Sequence, residues 1–446
     1  MKKKIVILGA GESGTGSAIL AERKGYDVFV SDKGSMQDKY RKELEANNID
    51  FEEGKHSVDR LITADLAVKS PGIPENAEAV RALADRGIEV ISEIEFAGRF
   101  TTAGKICITG SNGKTSTANL VYDILKRAGL KVALAGNIGH SFARQVATGS
   151  YDYYVIELSS FQLDGMYDFR AEIAVLLNIT PDHLDRYDNN FQEYIDSKFR
   201  IIRNQSDMDY FIYWADDPVI QRELSLREPK ARLLPFSDEG SEGMAGYIEN
   251  DNLSLSIHNK TEKIMTIHDL ALKGRHNTYN SMAAAIAGKI LYIRNEIIRE
   301  SLADFQGVEH RLETVIAVHG INFINDSKAT NVNSSWYALE CMTTKVVWIA
   351  GGIDKGNDYS QLHSLARDKI KAIVCLGKDN NKIIDAFKGL VPTIVETRSM
   401  PEAVKSAYYL ASTGDTVLLS PACASFDLFE NYEDRGRQFK EAVRNL

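Results

Sequence analysis

Lys105-Ile-Cys-Ile-Thr-Gly-Ser-Asn-Gly-Lys-Thr-Ser-Thr117 is the stretch whose reading decides the fold. Its apolar first half reads as a short buried strand, and its second half as the opening of a helix. In the turn between them, Gly110 and Gly113 carry no Cβ, so the backbone N–H groups from Gly110 through Ser111, Asn112 and Gly113 are free to approach phosphate oxygens. The first helical turn, with Lys114, Thr115 and Ser116, adds the partial positive charge of a helix N-terminus. Lys114 suits the terminal phosphates of a nucleotide, and the Thr115 hydroxyl suits Mg²⁺. The spacing departs from G-x-x-x-x-G-K-[ST], because Ile108 stands where the first glycine belongs. A plain strand–helix turn with chance glycines is the alternative, and it leaves the Gly-Lys-Thr at a strand end unexplained.

Working outward, short Val- and Ile-rich runs alternate with helical stretches. The runs are Ile5–Leu8, Val28–Ser31, Leu66–Val68, Ile106–Thr109, Tyr154–Glu157, Ile173–Asn178, Val346–Ala350, Ala372–Leu376 and Thr416–Leu419. This βαβα rhythm implies parallel sheets covered by helices. It restarts after a linker at Ala97–Gly104, and again near Gln306–Gly307, where the strand pair Thr314–Val318 and Ile321–Asn325 begins. The expected class is therefore α/β with three domains, near 1–93, 94–306 and 307–446. The first and last are Rossmann-like, and the central one is P-loop ATPase-like with a mostly parallel sheet. The polar stretch Asp238–Lys263 reads as a loop or an antiparallel excursion.

The 446 residues exceed one ordinary core, and 44% hydrophobic with 26% charged residues is a globular composition. A net charge of −9 argues against nucleic-acid binding, which needs clustered Lys and Arg. The four cysteines, Cys107, Cys341, Cys375 and Cys423, form no C-x-x-C pair, which fits a reducing cytoplasm. The opening MKKKIVILGAG is read as a strand rather than a signal peptide, and no apolar run reaches membrane-spanning length.

Further motifs sit where strands end. Gly9-x-Gly11-x-x-Gly14 followed by Asp32 matches the dinucleotide fingerprint in outline. Read literally it means an NAD-dependent enzyme; with a phosphate loop downstream it also suits the diphosphate of a nucleotide-tagged substrate. Glu157 closes one strand and His183 follows another, so both can reach Mg²⁺ near the phosphate loop. Lys198 lies on an expected helix, Phe191–Ile202, where an exposed lysine is the ordinary reading. Asp326-Ser-Lys-Ala-Thr-Asn331 and Ser420-Pro-Ala-Cys-Ala-Ser-Phe426 place hydroxyls, N–H groups and a lysine where a carboxylate-bearing substrate would bind, or where helices are capped.

With these residues in hand, the chain resembles the murein peptide ligase family. The likeness rests on Ser111–Thr115, Gly136-Asn-Ile-Gly139, Glu157-Leu-Ser-Ser-Phe-Gln162, Asp182-His-Leu-Asp-Arg-Tyr187, Gly274-Arg-His-Asn277, Glu309-His-Arg311, Asp326–Asn331 and Ser420–Phe429, which span all three expected domains. Within the family, three of these motifs look like the D-glutamate-adding member. The resemblance implies an ATP- and Mg²⁺-dependent ligase acting on UDP-N-acetylmuramoyl-L-alanine and D-glutamate, cytoplasmic and monomeric. It implies that Ser13, Asp32, Ser70, Pro71 and Gly72 hold the UDP part, while Asn137, Ser159, Gln162 and His183 border the muramoyl-alanine end. Asn277, Asn280, Arg311 and Asp326 join the phosphate loop around ATP. Lys328, Thr330, Lys355, Ser425 and Phe426 surround D-glutamate, and Lys114, His183, Lys198 and Lys328 are catalytic. Lys198 looks like the family's carbamylated lysine, an anion that joins Thr115, Glu157 and His183 near the metal. The rivals at this stage are a folylpolyglutamate synthase, another murein ligase, an NAD-dependent oxidoreductase and a nucleotide-dependent switch.

Overall fold

Runs of apolar residues buried on both faces are what parallel strands between helical layers require. In the computed structural model, which describes all residues except Met1, Glu239, Ser241 and Gln306, such runs build three sheets. The chain packs as two compact units: Met1–Leu270 with Thr278–Phe305, and Ala271–Asn277 with Gln306–Leu446.

The first unit carries two sheets. Strands β1 (Lys4–Leu8), β2 (Asp27–Asp32), β3 (Asp50–Glu53), β4 (Leu66–Lys69) and β5 (Val90–Ser92) form a parallel sheet in the order β3-β2-β1-β4-β5. The order reverses between β1 and β4, which opens a ligand crevice beyond their carboxyl ends. Gly14 lets the following helix, Glu12–Arg23, seat against that turn: a Cβ there would lie 1.8 Å from the Gly9 carbonyl oxygen.

The second sheet contains β6 (Gly104–Thr109), β7 (Val132–Gly136), β8 (Tyr153–Glu157), β9 (Ile173–Leu176), β10 (Tyr210–Trp214), β11 (Arg232–Ser237), β12 (Gly246–Glu249), β13 (Asn252–Ile257) and β14 (Lys260–Thr266). Their order is β14-β13-β12-β11-β10-β9-β6-β8-β7. The strands from β6 to β12 pair in parallel, and β12, β13 and β14 form an antiparallel ribbon. The polar stretch Asp238–Lys263 is thus an antiparallel excursion, with Glu239 and Ser241 outside the described residues. β6 sits between β8 and β9, so its carboxyl end is the switch point of this sheet.

The second unit holds β15 (Glu313–Val318), β16 (Ile321–Asn325), β17 (Val346–Ala350), β18 (Ile370–Leu376), β19 (Ile394–Thr397) and β20 (Thr416–Leu419) in the order β15-β16-β20-β17-β18-β19. Among the described strand pairs of this sheet, β15–β16 is antiparallel and the others are parallel. Trp348 of β17 is fully buried, and its Nε1–H donates to the Ser420 carbonyl at 2.7 Å.

Two expectations are corrected. Ala97–Gly104 is not a linker from its start, because the helix Glu93–Gly98 runs into it with Ala97 buried, and Gly104 already belongs to β6. The strand drawn over Ile173–Asn178 stops at Leu176, where the chain leaves the sheet toward the phosphate loop. The expected restart at Gln306–Gly307 falls partly on Gln306, outside the described residues. Among the described residues, no helix is long and apolar enough to cross a membrane.

Candidate active site

The turn after β6 is left-handed at Gly113 (φ 86°), the N-cap of the helix Lys114–Arg127. A side chain there would also collide with Asn280, whose Oδ1 would lie 2.3 Å from the added Cβ. The loop is braced from its outer side. Asn112 N–H donates to Asn178 Oδ1 (2.8 Å), and Asn178 Nδ2 donates back to the Asn112 carbonyl (3.0 Å). The Ser111 hydroxyl donates to the Thr180 carbonyl at 2.8 Å and lies 3.1 Å from the Tyr194 hydroxyl. Ser116 is buried in the first helical turn.

Behind the loop, the Thr115 hydroxyl donates to Glu157 Oε2 (2.8 Å), and Asn137 Nδ2 donates to Glu157 Oε1 (2.9 Å). Glu157 is 1% exposed, yet among the described residues a hydroxyl and an amide hold its oxygens, not a cation. A buried carboxylate in that state fits a divalent cation beside a phosphate loop. His183 has a left-handed backbone (φ 53°) and caps a short turn, half-exposed, edge-on to Phe161 at 5.4 Å and 3.8 Å from Asp182. Ser159 and Gln162 are occupied with each other, in a reciprocal capping box at the start of Ser160–Asp164.

Lys198 is not an exposed helix lysine. It is 1% exposed on the helix Phe191–Phe199, and its Nζ donates to the Gly110 carbonyl at 2.9 Å. It lies 4.5 Å from the Tyr194 ring centre. Burial first, then the charge of Lys114, holds its pKa well below the usual lysine range, against the pull of Asp182 and Asp164. Lys114 Nζ donates to the same Gly110 oxygen and to the Ser111 carbonyl, both at 2.9 Å.

The crevice of the first sheet is a cavity of about 830 Å³. Gly9, Gly11, Ser13, Asp32, Ser70, Pro71 and Gly72 line it, together with Lys33, Lys55 and His56. Asp32 ties the turns together, accepting from Ala10 N–H and Gly34 N–H at 2.7 Å each. Ser70 Oγ is buried without a protein partner and faces Gly9, where a Cβ would lie 2.7 Å from it. An orphaned hydroxyl beside a left-handed glycine fits a polar ligand lying against the backbone. Arg186 donates to the Pro71 and Gly72 carbonyls (3.4 and 3.3 Å) while its guanidinium covers Phe161 at 4.5 Å, so this cavity's rim and the His183 segment are joined.

In the second unit, the residues after β16 and β20 interlock. The Ser420 hydroxyl donates to Asp326 Oδ2 (2.9 Å), and Leu312 N–H donates to Oδ1 (3.2 Å). Burial pushes Asp326 up to about 6, opposed by the charge of Arg311 and by these hydrogen bonds. Lys328 is half-buried, with Nζ 5.2 Å from the Tyr432 ring centre. Thr330 is half-buried and Ser425 buried, whereas Lys355 and Phe426 are exposed. Asn277 is buried and donates to the Lys273 carbonyl at 2.8 Å.

Residues 108–288 match the Mur ligase middle domain, 310–423 the glutamate ligase domain of Mur ligases, and 4–79 the MurD N-terminal domain. The UDP-N-acetylmuramoylalanine–D-glutamate ligase of Christiangramia forsetii is 56% identical over 446 residues, covering all of both chains. The chain belongs to the Mur ligase family. The Bacteroides fragilis protein of the same name is 57% identical over 448 residues, again end to end. Among solved structures, the UDP-N-acetylmuramate–alanine ligase of Thermotoga maritima shares the fold, with a TM-score of 0.63 at 19% identity over 99% of each chain.

In this Mur ligase, three positioning residues escaped the sequence reading. In the sequence Asn178 reads as the end of a strand, Arg186 as part of a motif without a role, and Arg435 carries no signal. Arg435 is 1% exposed and donates to the Ser327 hydroxyl (3.0 Å), the Ser327 carbonyl (2.8 Å) and the Cys423 carbonyl (3.2 Å), which fastens the Asp326 and Ser420 motifs together. A polar residue just past a parallel strand was the available signal for Asn178. Asn178→Ala strands a buried N–H and a carbonyl of Asn112. It is expected to weaken binding of ATP or ADP about tenfold, on the order of 1.4 kcal/mol, measured by calorimetry. Unchanged affinity would show that the loop holds its shape without that brace.

Proposed function

We propose that the chain joins D-glutamate to UDP-N-acetylmuramoyl-L-alanine at the expense of ATP, in peptidoglycan precursor synthesis. The carrying observation is identity of 56 and 57% to two D-glutamate ligases over every part of the chain, including all three sheets. The cavity of the first sheet takes the UDP group, with Ser70 Oγ, the Asp32-tied turns and Lys33 and Lys55 facing an anionic ligand. The phosphate loop takes ATP. Asp326, Arg311 and the residues around Lys328, Thr330, Lys355, Ser425 and Phe426 serve nucleotide and D-glutamate. We further propose domain limits near residues 93 and 306, a monomer, and a cytoplasmic setting.

A carboxylate does not condense with an amine unaided, because oxide is a poor leaving group. The alanine carboxylate attacks the γ-phosphorus of ATP, and ADP leaves. The amine of D-glutamate then attacks the acyl carbon of the resulting acyl phosphate, loses a proton, and phosphate leaves. Both steps ask for positioning and charge neutralisation more than for covalent help from the protein. Lys114 serves the transferring phosphoryl group, and Lys328 assists from the second unit's motif. Mg²⁺, when bound, would neutralise phosphate charge; Thr115, Glu157, His183 and Lys198 as a carbamate would hold it.

The carbamate reading of Lys198 rests on its burial. A neutral amine adds CO₂ and releases one proton, leaving an N–H and a carboxylate. That N–H still suits the Gly110 carbonyl, while the new carboxylate offers a metal the anionic ligand that an ammonium could not.

In assays of phosphate release with UDP-N-acetylmuramoyl-L-alanine and ATP, turnover should require D-glutamate and be weak with L-glutamate, L-alanine or lysine. Equal turnover with meso-diaminopimelate, or release driven by a folate, would move the chain to a sibling activity. Lys198→Ala should fold normally by circular dichroism yet lose turnover by about a hundredfold or more, with partial recovery on adding acetate. Lys198→Arg should stay inactive, since guanidinium forms no such carbamate and keeps its charge. A fully active Lys198→Arg enzyme would end the carbamate reading and leave the ligase assignment standing.

A further inference from the structure

We propose that His276, Glu340 and Cys341 form a binding site for one soft divalent cation of the zinc class, with a donor set unlike the oxygen-rich one of the phosphate loop. All three belong to the second compact unit. Glu340 ends the helix Val332–Glu340 and Cys341 is its C-cap, while His276 lies in the first turn of Arg275–Ile290. Their ligand atoms lie within 4.8 Å of one another. His276 Nδ1 is 4.0 Å from Cys341 Sγ. A tetrahedral zinc with bonds of about 2.3 Å to sulfur and about 2.0 Å to nitrogen sets such atoms roughly 3.6 Å apart, so a small side-chain movement closes the site.

The donor set decides the class of ion. A thiolate and an imidazole select zinc-like cations over Mg²⁺, which prefers oxygen. Thiolate and carboxylate together balance two positive charges. They stand at a helix C-terminus, the negative end of its dipole. The backbone keeps this position: Lys369 Nζ donates to the Leu339, Glu340 and Met342 carbonyls (3.2, 2.6 and 2.8 Å), which fixes the chain and leaves the side chains to ligate. On the other side Gly274 (φ 95°) makes room, since a Cβ there would lie 2.3 Å from Cys341 Sγ. The His276 ring is held against Tyr337, 4.8 Å between centres. Burial first, then the charge of Arg311, pushes the His276 imidazole down to about 3, which keeps it a neutral ligand, and the two anionic ligands offset Arg311. The neighbouring trio Glu309, His310 and Glu313 lacks this property, because Lys440 already bridges both carboxylates. On ligation the Cys341 thiol proton passes to solvent, and three protein ligands leave a fourth position for water.

The test is titration of the chelator-treated full chain with Co²⁺. One equivalent should bind per chain, giving a thiolate-to-cobalt charge-transfer band in the near ultraviolet and the visible bands of a tetrahedral ion. Zn²⁺ should bleach both. Cys341→Ser should abolish the charge-transfer band and weaken binding at least tenfold, while keeping the far-ultraviolet circular dichroism of the wild type and its turnover with ATP and Mg²⁺ in the absence of Co²⁺ or Zn²⁺. His276→Gln should weaken binding similarly. The other cysteines, Cys107, Cys375 and Cys423, are buried and give no such band. Absence of a thiolate band, its survival in Cys341→Ser, or half-saturation only at millimolar metal would each overturn the proposal.

Discussion

One carbonyl oxygen governs the centre of this molecule. Gly110 O accepts from Lys114 and from Lys198, each at 2.9 Å. Two ammonium groups on one acceptor, one of them fully buried, cannot both keep their charge cheaply in a low-dielectric interior. Burial first, then the charge of Lys114, lowers the pKa of Lys198 well below the usual lysine range. Its position is fixed by a helix that also delivers Tyr194, whose hydroxyl meets Ser111 of the loop. The phosphate loop, its bracing helix and the chemical state of Lys198 are therefore one arrangement rather than three.

The rest of the architecture repeats a single device. Each sheet sends its strands toward a carboxyl edge, and each edge carries groups that the proposed chemistry uses. β1 and β4 end at Gly9 and Ser70, β6 and β8 at the phosphate loop and Glu157, β16 and β20 at Asp326 and Ser420. In the proposed reading, an acidic chain serves anionic reactants because the positive charge is local, in Lys114, Lys328, Arg311 and the helix N-terminus after Gly113. Polar braces such as Asn178, Arg186 and Arg435 keep these edges rigid, and buried hydrogen bonds of that kind are costly to break.

The strands were legible in the sequence because parallel strands buried on both faces must be apolar end to end. Short edge strands such as β3, with Asp50, Glu52 and Glu53, and β5 carry little of that signal and were not read. The phosphate loop was legible because its glycines are fixed by backbone geometry. Lys198 was legible only through family likeness, since on helical spacing alone a lysine belongs in solvent; its burial depends on the Gly110 carbonyl, 88 positions away in the chain. Arg435 was illegible for the same reason, as its partners at Ser327 and Cys423 come from two other segments. Only the end of the helix Glu93–Gly98, from Ala97, reads as linker in the sequence, because the burial of Ala97 depends on tertiary packing.

The account's central claim is that the substrate's own carboxylate takes the phosphoryl group before the amine arrives. UDP-N-acetylmuramoyl-L-alanine labelled with ¹⁸O in the alanine carboxylate tests this directly, by mass analysis of the phosphate released with ATP and D-glutamate. The account predicts one ¹⁸O atom in each released phosphate, because the carboxylate oxygen that attacked phosphorus leaves with it. Released phosphate free of label would contradict it.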